Sequence, residues 1–331
     1  MNGNIEYENK YQNKIDGLLS SNHSLYGFYS FIGDKSISTI YNYLLHINGF
    51  LAYTNGKSLE RLNVDDFSGY MLKIQKNQKG EKTTSSYRIA AYSALKKYGK
   101  YLVASNQIDK NPMDFIDRPK PIESQKTITK RETGYLSKKE ITTYVTTVER
   151  GTGTARSKNR QKKWKERDLA IVMLFLNTGI RCSALMKIDM DNIDFDNRTL
   201  TVTDKESYVN IYELSDEVLE IISNWIIERE KLLNGKEIDA LFISNRRSRM
   251  NQGSIYHIVN KFSDGFKGKH ITPNKVRATY GTQLYDATKD VYFVQQCMKH
   301  QNPKTTELYI RGKKNQTKKA SEIMGRLTIT I

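Results

Sequence analysis

The sequence predicts a mainly α-helical protein of two domains, with a small antiparallel β-sheet confined to the second half. Three observations predict it. Apolar residues recur at helical spacing through the first hundred residues. A proline-bearing, basic segment poor in apolar residues, RPKPIESQKTITKRETG, occupies 118–134. One stretch, RTLTVTDKESYVNIYEL at 198–214, alternates apolar and polar residues about a short turn, as a hairpin does. The 331 residues suffice for two separate cores.

Taken in order, Ile40, Leu44, Ile47 and Leu51 form a helical stripe after the possible caps Ser36 and Ser38. LNVDDFSGYMLKI at 62–74 reads as a short capped helix. A longer helix is expected over Thr84 to Leu102, with Ile89, Ala90, Leu95, Tyr98 and Tyr101 as its apolar residues. Arg88, Lys96, Lys97 and Lys100 run along the same helix and are either a groove-binding face or the ordinary surface of a bundle. Pro112 disfavours helix at Asn111 and closes a first domain at 1–117, a helical bundle with basic faces. Residues 118–134 are the linker. The second domain, 135–331, opens on LSKKEI, where Ser137 and Glu140 have the spacing of a capping box. The segment 150–167 holds eight basic residues and one acid with hardly an apolar one, and reads as a flexible loop beside a polyanion or as a solvated, disordered insertion. RDLAIVMLFLNTG at 167–179 is a buried helix. After the hairpin the chain is expected to be helical again to about Leu327.

The charge narrows the partner. With 53 Lys and Arg against 36 Asp and Glu, the net charge is +17 and the isoelectric point about 9.5. That excess points to nucleic acid first and an anionic membrane surface second. Cys182 and Cys297 are far apart, with no metal-ligand spacing around them, which argues against a zinc site or a disulfide framework and for a reducing compartment. The first residues, MNGNIEYENKYQNK, are polar and carry acids, unlike a signal peptide. The longest apolar run, Leu169 to Leu176, is too short to span a bilayer. A cytoplasmic protein without cofactor or metal is expected, associated with the bacterial nucleoid.

Four separated features suit chemistry on a phosphodiester. Arg181 follows Gly179 in LNTGIRCSALMKI. Lys205 sits at the hairpin turn. Arg277 lies in ITPNKVRATYGTQL, and His300 stands nine residues before Tyr309 in MKHQNPKTTELYI. Singly, each is commonplace: a surface arginine, a solvated lysine, a structural histidine, a packing tyrosine. In this order they resemble the tyrosine recombinase, or phage integrase, family. TGIRCSAL resembles its first arginine box, NKVRATYGTQL its second, and KHQNPKTTELYI the box that ends in the nucleophile. Residues 20–117, ending NQIDKNPMDFID, resemble its helical core-binding domain. The resemblance thus covers nearly the whole chain.

The resemblance implies a core-binding bundle followed by an α+β DNA breaking-rejoining catalytic domain, the two closing as a C-shaped clamp on duplex DNA. Tyr309 would attack the scissile phosphorus to give a 3′-phosphotyrosine and a free 5′-hydroxyl, conserving bond energy for rejoining without ATP. Arg181 and Arg277 would hold the non-bridging oxygens, since a guanidinium fork matches phosphate and stays charged. Lys205 would protonate the departing 5′-oxygen, and His300 would donate a hydrogen bond to the phosphate.

Two positions depart from the family. Asn274 stands where the second box usually has a histidine, and an amide cannot accept a proton near neutral pH; Lys275 and His270 are the neighbouring alternatives. Ala184 stands where an acid is common, so other partners would orient Arg181. An extra N-terminal arm-binding domain is not expected, which places the resemblance nearer the two-domain Xer-like and Cre-like members. The implied assembly is a homotetramer, a pair of dimers on inverted-repeat core sites. It would be joined through the C-terminal tail KKNQTKKASEIMGRLTITI, whose apolar residues include Ile323, Met324, Leu327 and Ile329. Integrase of a mobile element and Xer-like resolvase both fit. The alternatives are a non-catalytic DNA-binding protein of the same fold and a type IB topoisomerase-like enzyme.

Overall fold

Most helix starts follow side chains able to accept the free N–H groups of a first turn. The computed structural model describes residues 2–122, 134–203, 209–266 and 269–299. Its described residues divide into two compact units, an N-terminal one from 4 to 122 and a C-terminal one from 134 onward. The N-terminal unit holds α1 (Asn2–Ser21), α2 (Tyr26–Phe31), α3 (Ile37–Tyr53), α4 (Val64–Lys73) and α5 (Ser85–Ala104). Ser36 occupies the cap position of α3, but its hydroxyl pairs with that of Thr39 at 2.8 Å instead of capping an N–H. Asn63 and Asp66 make a reciprocal capping box at α4, and Lys57 binds the same Asp66 carboxylate at 2.7 Å. Thr84 caps α5 by accepting from Tyr87 N–H at 3.2 Å.

The core of this unit is rich in aromatic residues. Phe50 lies 4.5 Å from Phe67 and 5.5 Å from Tyr70, and Phe28 meets Tyr98 edge-on at 5.1 Å. The buried stripe of α5 is Ala91, Tyr92, Ala94, Leu95, Tyr98, Gly99 and Leu102. Of the apolar residues expected to mark that face, Leu95 and Tyr98 are buried, Ile89 and Tyr101 are half-buried and Ala90 is exposed. Gly99 is required by a close approach: a Cβ there would fall 2.0 Å from Asn111 Oδ1. Asn111 in turn donates to Lys96 O at 3.1 Å and accepts from Met113 N–H at 3.0 Å, turning the chain just before Pro112.

The C-terminal unit contains α6 (Lys138–Arg150), α7 (Ala155–Lys162), α8 (Lys165–Thr178) and the short α9 (Cys182–Leu185). The strands β1 (Ile193–Asp194), β2 (Thr199–Thr203) and β3 (Val209–Glu213) follow. The unit continues with α10 (Asp216–Leu233), α11 (Gln252–Lys261), α12 (Pro273–Thr288) and α13 (Val291–Cys297). Ser137 and Glu140 form the expected capping box of α6. The strands pair antiparallel in the order β1-β2-β3, with Ile193 opposite Leu200 and Thr203 opposite Val209. Two residues are too few for β1 to show alternation in the sequence.

The basic segment 150–167 is neither a loop nor disordered: most of it is α7 and the start of α8. It offers no apolar period, yet Ala, Arg, Lys and Gln are good helix formers. Thr154 caps α7 by accepting from Ser157 N–H at 3.3 Å.

Helix α8 packs against α6, α10, α11 and α12 and is the centre of the unit. Its first turn carries a buried ionic cluster that nothing in the sequence announces. Asp168, 1% exposed, binds Arg167 at 2.9 Å and Lys261 at 2.5 Å. Arg167 also donates to Ile243 O and Asn245 Oδ1, both at 3.1 Å, beneath the Trp164 ring. Removing one partner from such a cluster costs about 3–5 kcal/mol, because the remaining charge is stranded. No helix among the described residues is long and apolar enough to cross a membrane.

Candidate active site

Three segments of the C-terminal unit converge. The first is the turn after α8. Gly179 ends the helix in the left-handed region at φ 59°, and its N–H donates to Phe175 O at 3.0 Å. A side chain is excluded twice over, since a Cβ would also lie 2.3 Å from the Tyr280 ring. Thr178 Oγ1 accepts from Ile180 N–H at 3.2 Å, and Ile180 is buried. Arg181 follows in extended conformation at the cap position of α9, its carbonyl accepting from the N–H groups of Ala184 and Leu185.

The second segment is α12. Thr272 caps it and Pro273 fills its first position, where a missing N–H costs nothing. One turn in, Arg277 is only 6% exposed and donates to two carbonyls, Gly179 O and, at 2.6 Å, Met298 O.

The third segment is the end of α13, where Met298 caps the helix and Lys299 is left-handed at φ 51°. Arg181 Nη2 reaches Lys299 O at 3.4 Å, and Lys299 Nζ lies 5.9 Å from the centre of the Tyr212 ring on β3. Both guanidinium groups therefore meet the backbone of Met298 and Lys299, immediately before His300.

Of the six residues expected to carry chemistry, the described residues bring Arg181 and Arg277 together. Asn274 lies one turn before Arg277 on α12 and is exposed. Lys205, His300 and Tyr309 lie outside the described residues, as does the C-terminal tail. Strands β2 and β3, which flank Lys205, are paired up to Thr203 and Val209. Of the alternatives to Asn274, His270 is exposed and hydrogen-bonded to Asn260 at 3.0 Å, against the Tyr256 ring; Lys275 is half-buried. Ala184 is 4% exposed and part of the main core, so an acid there would have to be buried.

Sequence reading missed Tyr280. One turn after Arg277, it packs on Gly179 and hydrogen-bonds the Cys297 thiol, joining the three segments. Burial, with Cys297 beside it, pushes its phenol well above the usual tyrosine range. Burial likewise pushes the Cys182 thiol up to about 12, so it is protonated at neutral pH and no nucleophile. Among the described residues no group of His, Cys, Asp and Glu could hold a metal ion.

The candidate DNA-contacting residues of α5 divide in two. Lys96 pairs with Asp114 at 3.3 Å, and Lys97 lies over the Phe31 ring at 4.6 Å. Arg88 is half-buried, its Nε without a hydrogen-bond partner, and Lys100 is exposed.

Two fixed guanidiniums on one short stretch of backbone can clamp an anion such as a phosphate. The pattern of the phage integrase family matches residues 134–316, more than half the chain. The chain is 28% identical over 322 residues to a tyrosine recombinase XerS of Streptococcus thermophilus, covering 86% of this chain and 90% of that one. Its fold is similar to that of XerH site-specific recombinase bound to palindromic difH substrate in a post-cleavage complex. That likeness has a TM-score of 0.66 and 17% identity, over 87% of this chain and 80% of the other. A lambda integrase (75–356) dimer bound to a COC′ core site is also similar, with a TM-score of 0.59 and 14% identity over 91% and 94% of the two chains.

Proposed function

The chain belongs to the phage integrase family and is a tyrosine recombinase; from that premise we propose the following chemistry on duplex DNA. The phenolic oxygen of Tyr309 attacks the scissile phosphorus while the bond from phosphorus to the 5′-oxygen breaks. The products are a 3′-phosphotyrosine ester and a 5′-hydroxyl, the hydroxyl taking its proton from Lys205. Attack of a 5′-hydroxyl from another strand reverses the step, so exchange between two sites needs no external energy. Arg181 and Arg277 hold the non-bridging oxygens and His300 donates to one of them. Asn274 cannot take the phenolic proton near neutral pH, so the proton passes to water or to a phosphate oxygen. Asn274 is left to hydrogen-bond from its exposed place beside Arg277.

The observation that supports this reading is the meeting of Arg181 and Arg277 on the backbone of Met298 and Lys299, one residue before His300. The bundle of the N-terminal unit holds the core DNA, and 118–134 links it to the catalytic unit. Four protomers assemble on inverted-repeat sites through the C-terminal tail. A groove of about 830 Å³ between α6, α8 and α12 supports such docking, lined by Ile141, Val145, Met173, Leu176, Tyr280 and Leu284. The protein works in the cytoplasm, at the nucleoid.

Covalent trapping tests the reaction. Full-length protein is mixed with nicked duplexes taken from the DNA beside its gene, so that the released fragment diffuses away. An adduct that survives SDS and vanishes in Tyr309→Phe is expected. Tight site-selective binding without an adduct would instead favour a non-catalytic DNA-binding protein. Relaxation of supercoils without site preference or strand transfer would favour a type IB topoisomerase-like enzyme.

A further inference from the structure

Helix α7, eight residues long, contributes no buried residue to the fold's own packing. It is nonetheless pinned. The Gln161 side chain donates to Thr152 O at 2.9 Å and accepts from Thr152 N–H at 3.2 Å, and the Thr152 hydroxyl reaches Asp264 at 3.4 Å. What it presents is charge: Arg156, Lys158, Arg160, Lys162 and Lys163 are all exposed, and none is in an ion pair among the described residues. Arg156, Arg160 and Lys163, at i, i+4 and i+7, share one face and span about 10 Å of helix.

The opposite face continues into a groove. Lys158 lines it together with Lys139 and Arg150 of α6, over a floor of threonines that includes Thr143, Thr146 and Thr147. The groove encloses about 580 Å³ and no acid lines it. The hydroxyls of Thr143 and Thr147 donate to carbonyls four residues back. The floor is therefore neutral and the three cations set the sign. From Lys139 to Arg150 the track runs about 16 Å along α6.

The fourteen residues of α8 separate α7 from the turn that carries Arg181, a span of about 20 Å. Laid along a duplex, that is about six base pairs at roughly 3.4 Å each. This surface is thus distinct from the phosphate clamp. We propose that α7 and its groove with α6 form a second DNA-binding surface, which takes backbone phosphates of the duplex flanking the core site. The proposal rests on DNA being the substrate. It assigns a role to a segment that takes no part in cleavage. An elongated track of unpaired cations over neutral hydroxyls fits a regular polyanion and gives no grip on bases, so the contact adds affinity without sequence preference.

The test uses full-length protein and a triple variant, Arg156→Gln, Lys158→Gln and Arg160→Gln. Binding to a 40-base-pair duplex of arbitrary sequence is followed against salt. Three lost phosphate contacts should make the slope of log K against log salt shallower by about 2.7, at about 0.9 per contact. An unchanged slope overturns the proposal. On a duplex carrying the trapped cleavage site, trimming the flanks should weaken the original chain more than the triple variant. Adduct yield at saturating protein should be equal for the two. If the variant loses adducts on trimmed DNA at saturation, α7 acts through the catalytic fold and the proposal falls. If no chain forms adducts on any DNA, the recombinase reading fails while the salt slope still decides the fate of this surface.

Discussion

Helices α5 and α7 are both densely basic, and they use their charge in opposite ways. Helix α5 buries seven residues, and its lysines are largely engaged by its own unit: Lys96 on Asp114, Lys97 on Phe31. Helix α7 buries none, and its cations are exposed and in no ion pair among the described residues. Lysine density therefore does not measure polyanion binding. A lysine stem laid across an aromatic ring is packing, with the charge carried along at its tip. What separates the two helices is whether the helix would survive without its charge, and that comes from burial rather than composition.

The sharpest way to break the contrast is to remove packing from α5. Tyr98→Ala empties a fully buried site between Phe28 and Phe50 and should cost about 3–5 kcal/mol in urea unfolding. Gly99→Ala drives a methyl into Asn111 and should cost about 1–3 kcal/mol, with the turn before Pro112 displaced in amide exchange.

A smaller effect comes from pH. His46 on α3 is 8% exposed against the Tyr87 ring of α5, and burial lowers its proton affinity below the usual 6.5. Below that pH the unfolded chain takes up the proton first, so stability should fall on acidification from pH 7 to 5.5. His46→Gln should flatten that dependence. Smallest of all, Arg156→Gln and Arg160→Gln on α7 should leave the thermal midpoint where it is, because both side chains are exposed. A midpoint lowered as far as by Gly99→Ala would erase the distinction between the helices.

The same physics explains which parts of the fold the sequence made legible. Helices α3, α4, α6 and α8 combine a capping residue or a terminal glycine with an apolar stripe, and both signals are local. Helix α7 escaped because its sequence has no stripe to display. Strand β1 escaped because it is two residues long, and the Arg167–Asp168–Lys261 cluster because charged residues at a helix start read as solvent-exposed. In the site, Arg181 and Arg277 stand out through the order of their boxes. Tyr280 and the carbonyls of Gly179 and Met298 did not, since contacts between residues 21 and 98 positions apart leave no trace in local spacing. Ala184 and Asn274 were legible as departures, and the burial of the first explains why a small residue is accommodated there.

Arg277 spends hydrogen bonds on Gly179 and Met298, tying the turn after α8 to the end of α13 through its own side chain. It is a strut within the fold. A descendant of this chain that abandoned strand cleavage but kept its shape would still be under pressure to retain an arginine there. Finding that arginine in a related genome therefore identifies the architecture rather than the activity.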